Sequence, residues 1–185
     1  MLVLASASPR RHELLRSAGI RFEVQPAHIP EDPLPNETAK DCAERLAREK
    51  ALAIAQKRPN DALLGADTVV VVDNQILGKP VDAADAARML RLLSGRTHEV
   101  ITGVCLVVAD RCSVASETTT VEMSAIFASE IDAYVATGEP MDKAGAYAIQ
   151  GIASRWILRI EGDYSNVVGL PVALVYRMLR RAQLI

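Results

Sequence analysis

Residues 62–72, which read Ala-Leu-Leu-Gly-Ala-Asp-Thr-Val-Val-Val-Val, constrain this chain more than any other stretch. A β-branched run of Thr68 and four valines reads as a buried strand, because branched side chains pack well on a pleated surface. Asp67 is the only charge in it. A carboxylate there is costly to bury unless it binds a metal, accepts hydrogen bonds or stays partly protonated. Asp67 is therefore a functional candidate, and the plainer alternative is a strand-end residue hydrogen-bonded to a neighbouring turn.

The rest of the chain supplies partners for that strand. Met1 to Ala5 reads as a short buried strand, and Ser8-Pro9 as an N-cap with proline at the first helical position of a helix closed by Gly19. Phe22 to Val24 reads as a strand, followed by a loop holding Pro26, Pro30, Pro33 and Pro35. Helical periodicity extends from about Thr38 to Gln56. Asp73-Asn74-Gln75 reads as a turn, Asp82 caps a helix running to about Leu93, and Gly95 stops it. Val100 to Ala109 and Val114 to Ser124 form a hairpin turning near Asp110-Arg111. Ser129 to Asp132 has capping-box form and opens a short helix ending at Gly138. Trp156 to Ile160 is a further strand, and Pro171 to Arg181 a final amphipathic helix. Strands interleaved with helices, plus a hairpin, predict an α/β fold with a mixed sheet flanked by helices. No repeat or interdomain linker interrupts it, so residues 1–185 are expected to form a single domain.

Composition narrows the function. Half the residues are hydrophobic but only 4% are aromatic, so the core is aliphatic. A formal net charge of -2 lacks the broad basic footprint needed to hold long nucleic acid. Cys42, Cys105 and Cys112 form no C-x-x-C, which argues against a disulfide framework or a cysteine zinc site and for reduced packing residues. The apolar Leu2 to Leu4 run is too short for a signal peptide, and no stretch reaches membrane-span length. A cytoplasmic location is the expectation.

Two further segments carry chemistry. In Ser6-Ala7-Ser8-Pro9-Arg10-Arg11 a strand gives way to a helix whose free N–H groups, with two arginines, would suit phosphate oxygens. The alternative is a capped helix with two solvated arginines. In Asp142-Lys143-Ala144-Gly145-Ala146-Tyr147-Ala148-Ile149-Gln150-Gly151, glycines bracket an amide able to pair with a base edge, or simply form a turn. There is no Walker loop, no G-x-S-x-G elbow and no H-E-x-x-H.

Taken in order, these segments resemble the Maf family across nearly the whole chain. The resemblance rests on Ser6 through Arg11, Glu31 in the proline-rich loop, Lys50 in Arg48-Glu49-Lys50-Ala51, Ala66-Asp67-Thr68, and Gly78-Lys79-Pro80. Ser94-Gly95 through His98 to Thr102-Gly103-Val104, and Val168-Gly169-Leu170-Pro171, complete it. Asp142 through Gly145 and Ile149-Gln150-Gly151 resemble the branch that hydrolyses dTTP and UTP. The resemblance implies a fold similar to that of inosine triphosphate pyrophosphatases, with an elongated mixed sheet and a deep cleft. It implies a divalent cation, Mg²⁺ or Mn²⁺, and a homodimer.

On this resemblance Asp67 is the proton acceptor, and Arg11, Thr68 and Gln150 fall at positions tied to substrate choice. Ser6, Ser8 and Arg10 join the substrate site. Lys50 and Lys79 would counter charge on the leaving pyrophosphate together with Arg10 and Arg11, and Glu31 and Asp67 would suit the metal. The substrate is then a nucleoside triphosphate, cleaved to monophosphate and pyrophosphate. Two alternatives stand beside it: the same reaction with another preferred base, or a nucleotide-sensing regulator of cell division without turnover.

Overall fold

A mixed sheet of seven strands runs through the computed structural model, which describes residues 1–185. Its strands are β1 (Leu2–Leu4), β2 (Glu23–Val24), β3 (Ala62–Val72), β4 (Gln75–Leu77), β5 (Thr97–Val108), β6 (Arg111–Met123) and β7 (Ile157–Glu161). The helices are α1 (Pro9–Ser17), α2 (Ala39–Ala55), α3 (Ala83–Leu93), α4 (Ala128–Ala136), α5 (Tyr164–Val168) and α6 (Val172–Arg181). The order across the sheet is β2-β1-β3-β5-β6-β7, with β4 also on β3. β1 lies parallel to β2 and β3, whereas β3, β5, β6 and β7 are successively antiparallel. The expected mixed sheet flanked by helices is what forms.

One edge of β3 is split. β1 pairs with it only as far as Leu64, and β4 only from Val70 onward, while β5 pairs continuously on the other side from Leu63 to Val71. From Gly65 to Val69 that edge has no strand beside it, and Asp67 and Thr68 lie in the gap. The sheet thus opens at the one place where the long strand carries polar side chains.

Alternation along β3 assigns its two faces. Leu63 and Val69 pack toward α2, against Ala47, Ala51 and Ile54 in one cluster and Cys42, Ala43 and Leu46 in the next. On the opposite face Leu64 and Ala66 join Leu15 of α1 and Leu174, Val175 and Leu179 of α6, whereas Val70 and Val72 join α3, α4 and Trp156. Between these two clusters the same face is polar: Thr68 and Thr102 share a hydrogen bond of 2.9 Å, and buried Asn166 of α5 donates to Val100 O and Thr119 Oγ1.

The approach of α2 is set by missing side chains. A Cβ on Gly65 would lie 2.0 Å from Ala47 O, and one on Gly103 would lie 2.2 Å from Ala43 O. The helix backbone therefore rests directly on two neighbouring strands, which its alanines permit. One turn beyond Ala47, this seats Lys50 next to Asp67.

Several expectations need correction. Gln75 does not belong to the turn after β3: only Asp73 and Asn74 turn, both at positive φ, and Gln75 begins the returning strand β4. The Ser129–Asp132 capping box does not form. Helix α4 starts earlier, at Ala128, and the Glu130 carboxylate accepts the Phe127 N–H at 3.0 Å. Ser8 is the N-cap residue of α1, but its side chain makes no capping hydrogen bond. The hairpin strands are longer than their apolar runs, reaching Thr97 on one side and Arg111 on the other. Trp156 ends a 3₁₀ turn rather than opening β7. No helix is long and apolar enough to cross a membrane.

Candidate active site

A cleft of about 770 Å³ passes through the gap in the β3 edge. All ten residues singled out as site candidates line it: Ser6, Ser8, Arg10, Arg11, Glu31, Lys50, Asp67, Thr68, Lys79 and Gln150. One wall is the β1–α1 junction, the floor is β3 with α2 behind it, and the far wall is the segment from Met141 to Gln150. The three parts come from distant stretches of the chain: β1 and α1 from its start, α2 and β3 from its middle, and the far wall from beyond residue 140.

At the floor Lys50 and Asp67 form a buried ion pair, Nζ to Oδ1, at 2.5 Å. The same ammonium meets Glu31 Oε1 at 2.7 Å, and Lys79 Nζ meets Glu31 Oε2 at 2.7 Å. The result is an alternating row of charges, Asp67–Lys50–Glu31–Lys79, leading from the sheet interior to the cleft mouth. Partial burial opposes the charge on Glu31, but hydrogen bonds and charges from Lys50 and Lys79 outweigh it and hold its carboxyl at about 2. Such a row keeps compact positive charge in the cleft without stranding any of it in the apolar interior.

The two arginines behave differently. Arg11 is buried, and its guanidinium is spent on the protein. Nε donates to Gly169 O at 2.8 Å, one terminal nitrogen donates to Ser6 Oγ and Ala66 O at 3.1 and 2.9 Å, and the other donates to Thr68 Oγ1 at 3.1 Å. The bond to Ala66 O fills part of the vacancy on the split edge, where a strand neighbour would otherwise donate. Desolvation pushes its pKa down, opposed by the charges of Asp67 and Glu31. The solvated-charge alternative does not describe this residue. It ties β1, β3 and the loop after α5 together at the cleft floor. Arg10 is partly exposed and crosses to the far wall, where it pairs with Asp142 at 3.3 Å.

The far wall and the chain on either side of it are wound into 3₁₀ turns at Glu139–Asp142, Ala144–Ala146 and Ile152–Trp156. Gly145 and Ala146 both have positive φ. A Cβ on Gly145 would meet Val70 at 2.9 Å, so this position requires glycine. The Gly145 N–H donates to Gly78 O, tying the wall to the loop that carries Lys79. His98, on β5, is buried and shares a 2.8 Å hydrogen bond with the Tyr147 hydroxyl. His98 and Tyr147 are not among the site candidates, although His98 belongs to the Ser94 to Val104 segment that carries part of the family resemblance. Its position beneath this wall depends on β5 pairing and has no local signal.

No group of three or more histidine, cysteine or acidic side chains is placed to hold a metal. Glu31 and Asp67 do form a pair of hard oxygen donors around one cation, the Lys50 ammonium. Mg²⁺ binds through one or two carboxylates when phosphates and waters supply the remainder, so this pair fits part of such a shell.

Residues 1–182 match the family model described as Maf-like protein. The chain belongs to the Maf family. Its relatives include a protein of Koribacter versatilis named dTTP/UTP pyrophosphatase, 61% identical over 98% of this chain and 94% of its own length. A protein of the same name from Geobacter sulfurreducens is 54% identical over 97% of this chain and 95% of its own. Among solved structures, the dITP/XTP pyrophosphatase of Mycobacterium abscessus is 17% identical, with a TM-score of 0.44 over 68% of this chain and 75% of that one. In this Maf-family chain the site candidates that are scattered along the sequence line one cleft.

Proposed function

We propose that this protein hydrolyses dTTP and UTP at the α–β phosphoanhydride, releasing the monophosphate and pyrophosphate. The observation that carries the reading is the charge row at the cleft floor, Asp67–Lys50–Glu31–Lys79, in a chain whose relatives of 61% and 54% identity bear that activity as their name.

Phosphoanhydride cleavage is chiefly an electrostatic problem. The triphosphate repels a nucleophile, and negative charge builds on the departing pyrophosphate. Lys50 and Lys79 meet that charge as compact ammonium groups, and Arg10 joins them when it exchanges Asp142 for a phosphate oxygen. Ser6 and Ser8 lie at the β1–α1 turn, where hydroxyls and helix N–H groups suit the phosphate chain. Arg11 acts through position: it holds Thr68 and Ser6 in place. Gln150 pairs with the O4/N3 edge shared by uracil and thymine.

Asp67 receives the proton of the attacking water, or helps hold a divalent ion. Mg²⁺ or Mn²⁺, bound by Glu31 and Asp67, would supply Lewis-acid charge to the phosphate oxygens. Such an ion would take its remaining ligands from the nucleotide and water, and Lys50, which stands between the two carboxylates, would then turn to the phosphates. The protein is proposed to act in the cytoplasm, in keeping with nucleotide substrates, and as a homodimer, as the family resemblance implies.

The deciding experiment is product analysis with purified protein, magnesium and dTTP or UTP. Equimolar monophosphate and pyrophosphate is the expected result, and stepwise release of inorganic phosphate would refute the reading. Asp67→Asn separates the two roles of that carboxylate. A loss of roughly 10²–10⁴-fold that persists at all metal concentrations identifies a base, while recovery at high metal identifies a ligand. Near-normal activity at every concentration rejects both.

A further inference from the structure

The segment presenting Gln150 is a β-turn. The Gly151 N–H donates to Ala148 O at 3.1 Å, leaving Ile149 and Gln150 at its tip. A turn exposed at a cleft wall has little of its own to fix it. This one is fixed from behind by two residues that do not line the cleft.

Glu139 stands under the C-terminal end of the turn. Its Oε1 accepts the Ile152 N–H at 3.1 Å and the Tyr134 hydroxyl at 2.9 Å. Tyr134 stands under the other end, where its oxygen accepts the Ala148 N–H at 3.4 Å. Its ring is fully buried in α4 and meets Trp156 edge-on, with centroids 5.3 Å apart. Gly151 lies against the same carboxylate: a Cβ there would fall 2.0 Å from Glu139 Oε1, so no other residue fits without displacing the clamp. The phenol and carboxylate thus form a strut whose two ends grip the backbone on either side of Gln150.

We infer that Glu139 and Tyr134 are positioning residues for base selection, setting where the Gln150 amide stands in the cleft. The inference rests on the proposed recognition of uracil and thymine by Gln150 and extends it to the groups that hold the amide in place. A recognition amide discriminates only if it cannot follow the wrong base, and cytosine presents the reversed hydrogen-bond pattern at the same edge. Desolvation, reinforced by Glu139, pushes the Tyr134 phenol pKa up, so it remains a donor to the carboxylate at working pH.

The test compares kcat/KM for UTP and CTP in wild type, Glu139→Ala, Tyr134→Phe, Gln150→Ala and the Glu139→Ala/Gln150→Ala double variant. Glu139→Ala is expected to lower the UTP:CTP ratio roughly ten- to a hundredfold, mainly through a higher KM for UTP, as expected from misplacing a contact. Tyr134→Phe, which keeps the ring against Trp156, shifts the ratio the same way by less and decides the matter should Glu139→Ala fail to fold. The double variant is expected to discriminate no worse than Gln150→Ala, because the two changes remove one interaction. If Gln150→Ala loses discrimination while Glu139→Ala and Tyr134→Phe retain it, the clamp is overturned and the recognition by Gln150 survives. If Gln150→Ala itself retains full discrimination, both are overturned together. A fall in thermal stability with an unchanged ratio marks a merely structural role and also overturns the inference.

Discussion

His98 illustrates how one buried group ties stability to pH. Desolvation lowers its pKa from 6.5 to about 4, so the folded protein keeps it neutral while the unfolded chain protonates it. Its contribution to stability is therefore constant above pH 6.5, declines as the pH falls toward 4, and then levels off. The full effect is about 3 kcal/mol, from 1.36 kcal/mol per pKa unit. His98→Gln keeps an amide to meet Tyr147 but cannot titrate, so urea unfolding between pH 7 and 4 should show a flatter stability profile in this variant. An equal slope in both proteins would refute the assignment. Glu31 works in a lower window: its carboxyl is held at about 2, and its stabilisation is lost as pH falls from 4.5 toward that value. Lys50 is the residue on which both carboxylates lean. Lys50→Met leaves Asp67 and Glu31 without their shared cation and should cost about 3–5 kcal/mol at neutral pH, the usual effect of breaking a buried pair. Urea denaturation of both proteins at pH 7 measures the loss, and an unchanged midpoint would refute it.

Lys50 reaches Asp67 only because α2 lies against bare backbone at Gly65 and Gly103. Gly103→Ala would push a Cβ into Ala43 O, C and Glu44 N, all backbone atoms within 2.6 Å, and no rotamer relieves that. The expected outcome is a stability loss at or above the roughly 1–3 kcal/mol typical of overpacking, with a lower kcat as the helix carries Lys50 away from Asp67. Urea midpoints and steady-state rates measure both, and a fully active, stable Gly103→Ala would show that the helix has room to spare. This contact also marks the limit of what the sequence discloses. The extents of α2, α3 and β3 are legible because their patterns are local, whether helical periodicity in residues 38–56 or the valine run after Asp67. Glu31, Lys50, Asp67 and Lys79 are recognisable as the chemistry of a phosphate site, yet their alternation depends on a helix–sheet approach that no short window encodes. β4 escapes notice because three residues carry too little pattern, and α5 because its five residues, capped locally by Asp163, are held in place by the Asp163 backbone and Asn166 bonding to distant groups. The burial of Arg11 is equally nonlocal. Its acceptors on Ala66, Thr68 and Gly169 converge only once the sheet has formed.

The split edge of β3 divides the molecule functionally without dividing the chain. On the face away from α2, one apolar cluster gathers β1, α1 and α6, another gathers α3, α4 and the far wall, and a polar seam of Arg11, Thr68, Thr102 and Asn166 runs between them. A nucleotide with its phosphates at the β1–α1 turn and its base at Gln150 would bridge the two clusters across this seam. Within the protein, direct links across the cleft mouth are few: the Arg10–Asp142 pair is partly exposed, and such pairs contribute at most about 1 kcal/mol. Ligand should therefore act as the main cross-brace. A uridine triphosphate analogue with a methylene bridge between the α and β phosphorus atoms, at about 100 times its Kd, contributes about 2.7 kcal/mol. In a chain of this size that corresponds to a rise in Tm of roughly 5–10 °C. Hydrogen exchange should slow on both sides at once, at the Ser8, Arg10, Arg11 and His12 amides and at the Ala148–Ile152 amides, with the cytidine analogue protecting the first group far more than the second. Protection confined to one wall with the uridine analogue would mean that the nucleotide does not span the cleft, and the assignment of phosphate and base ends would have to be abandoned.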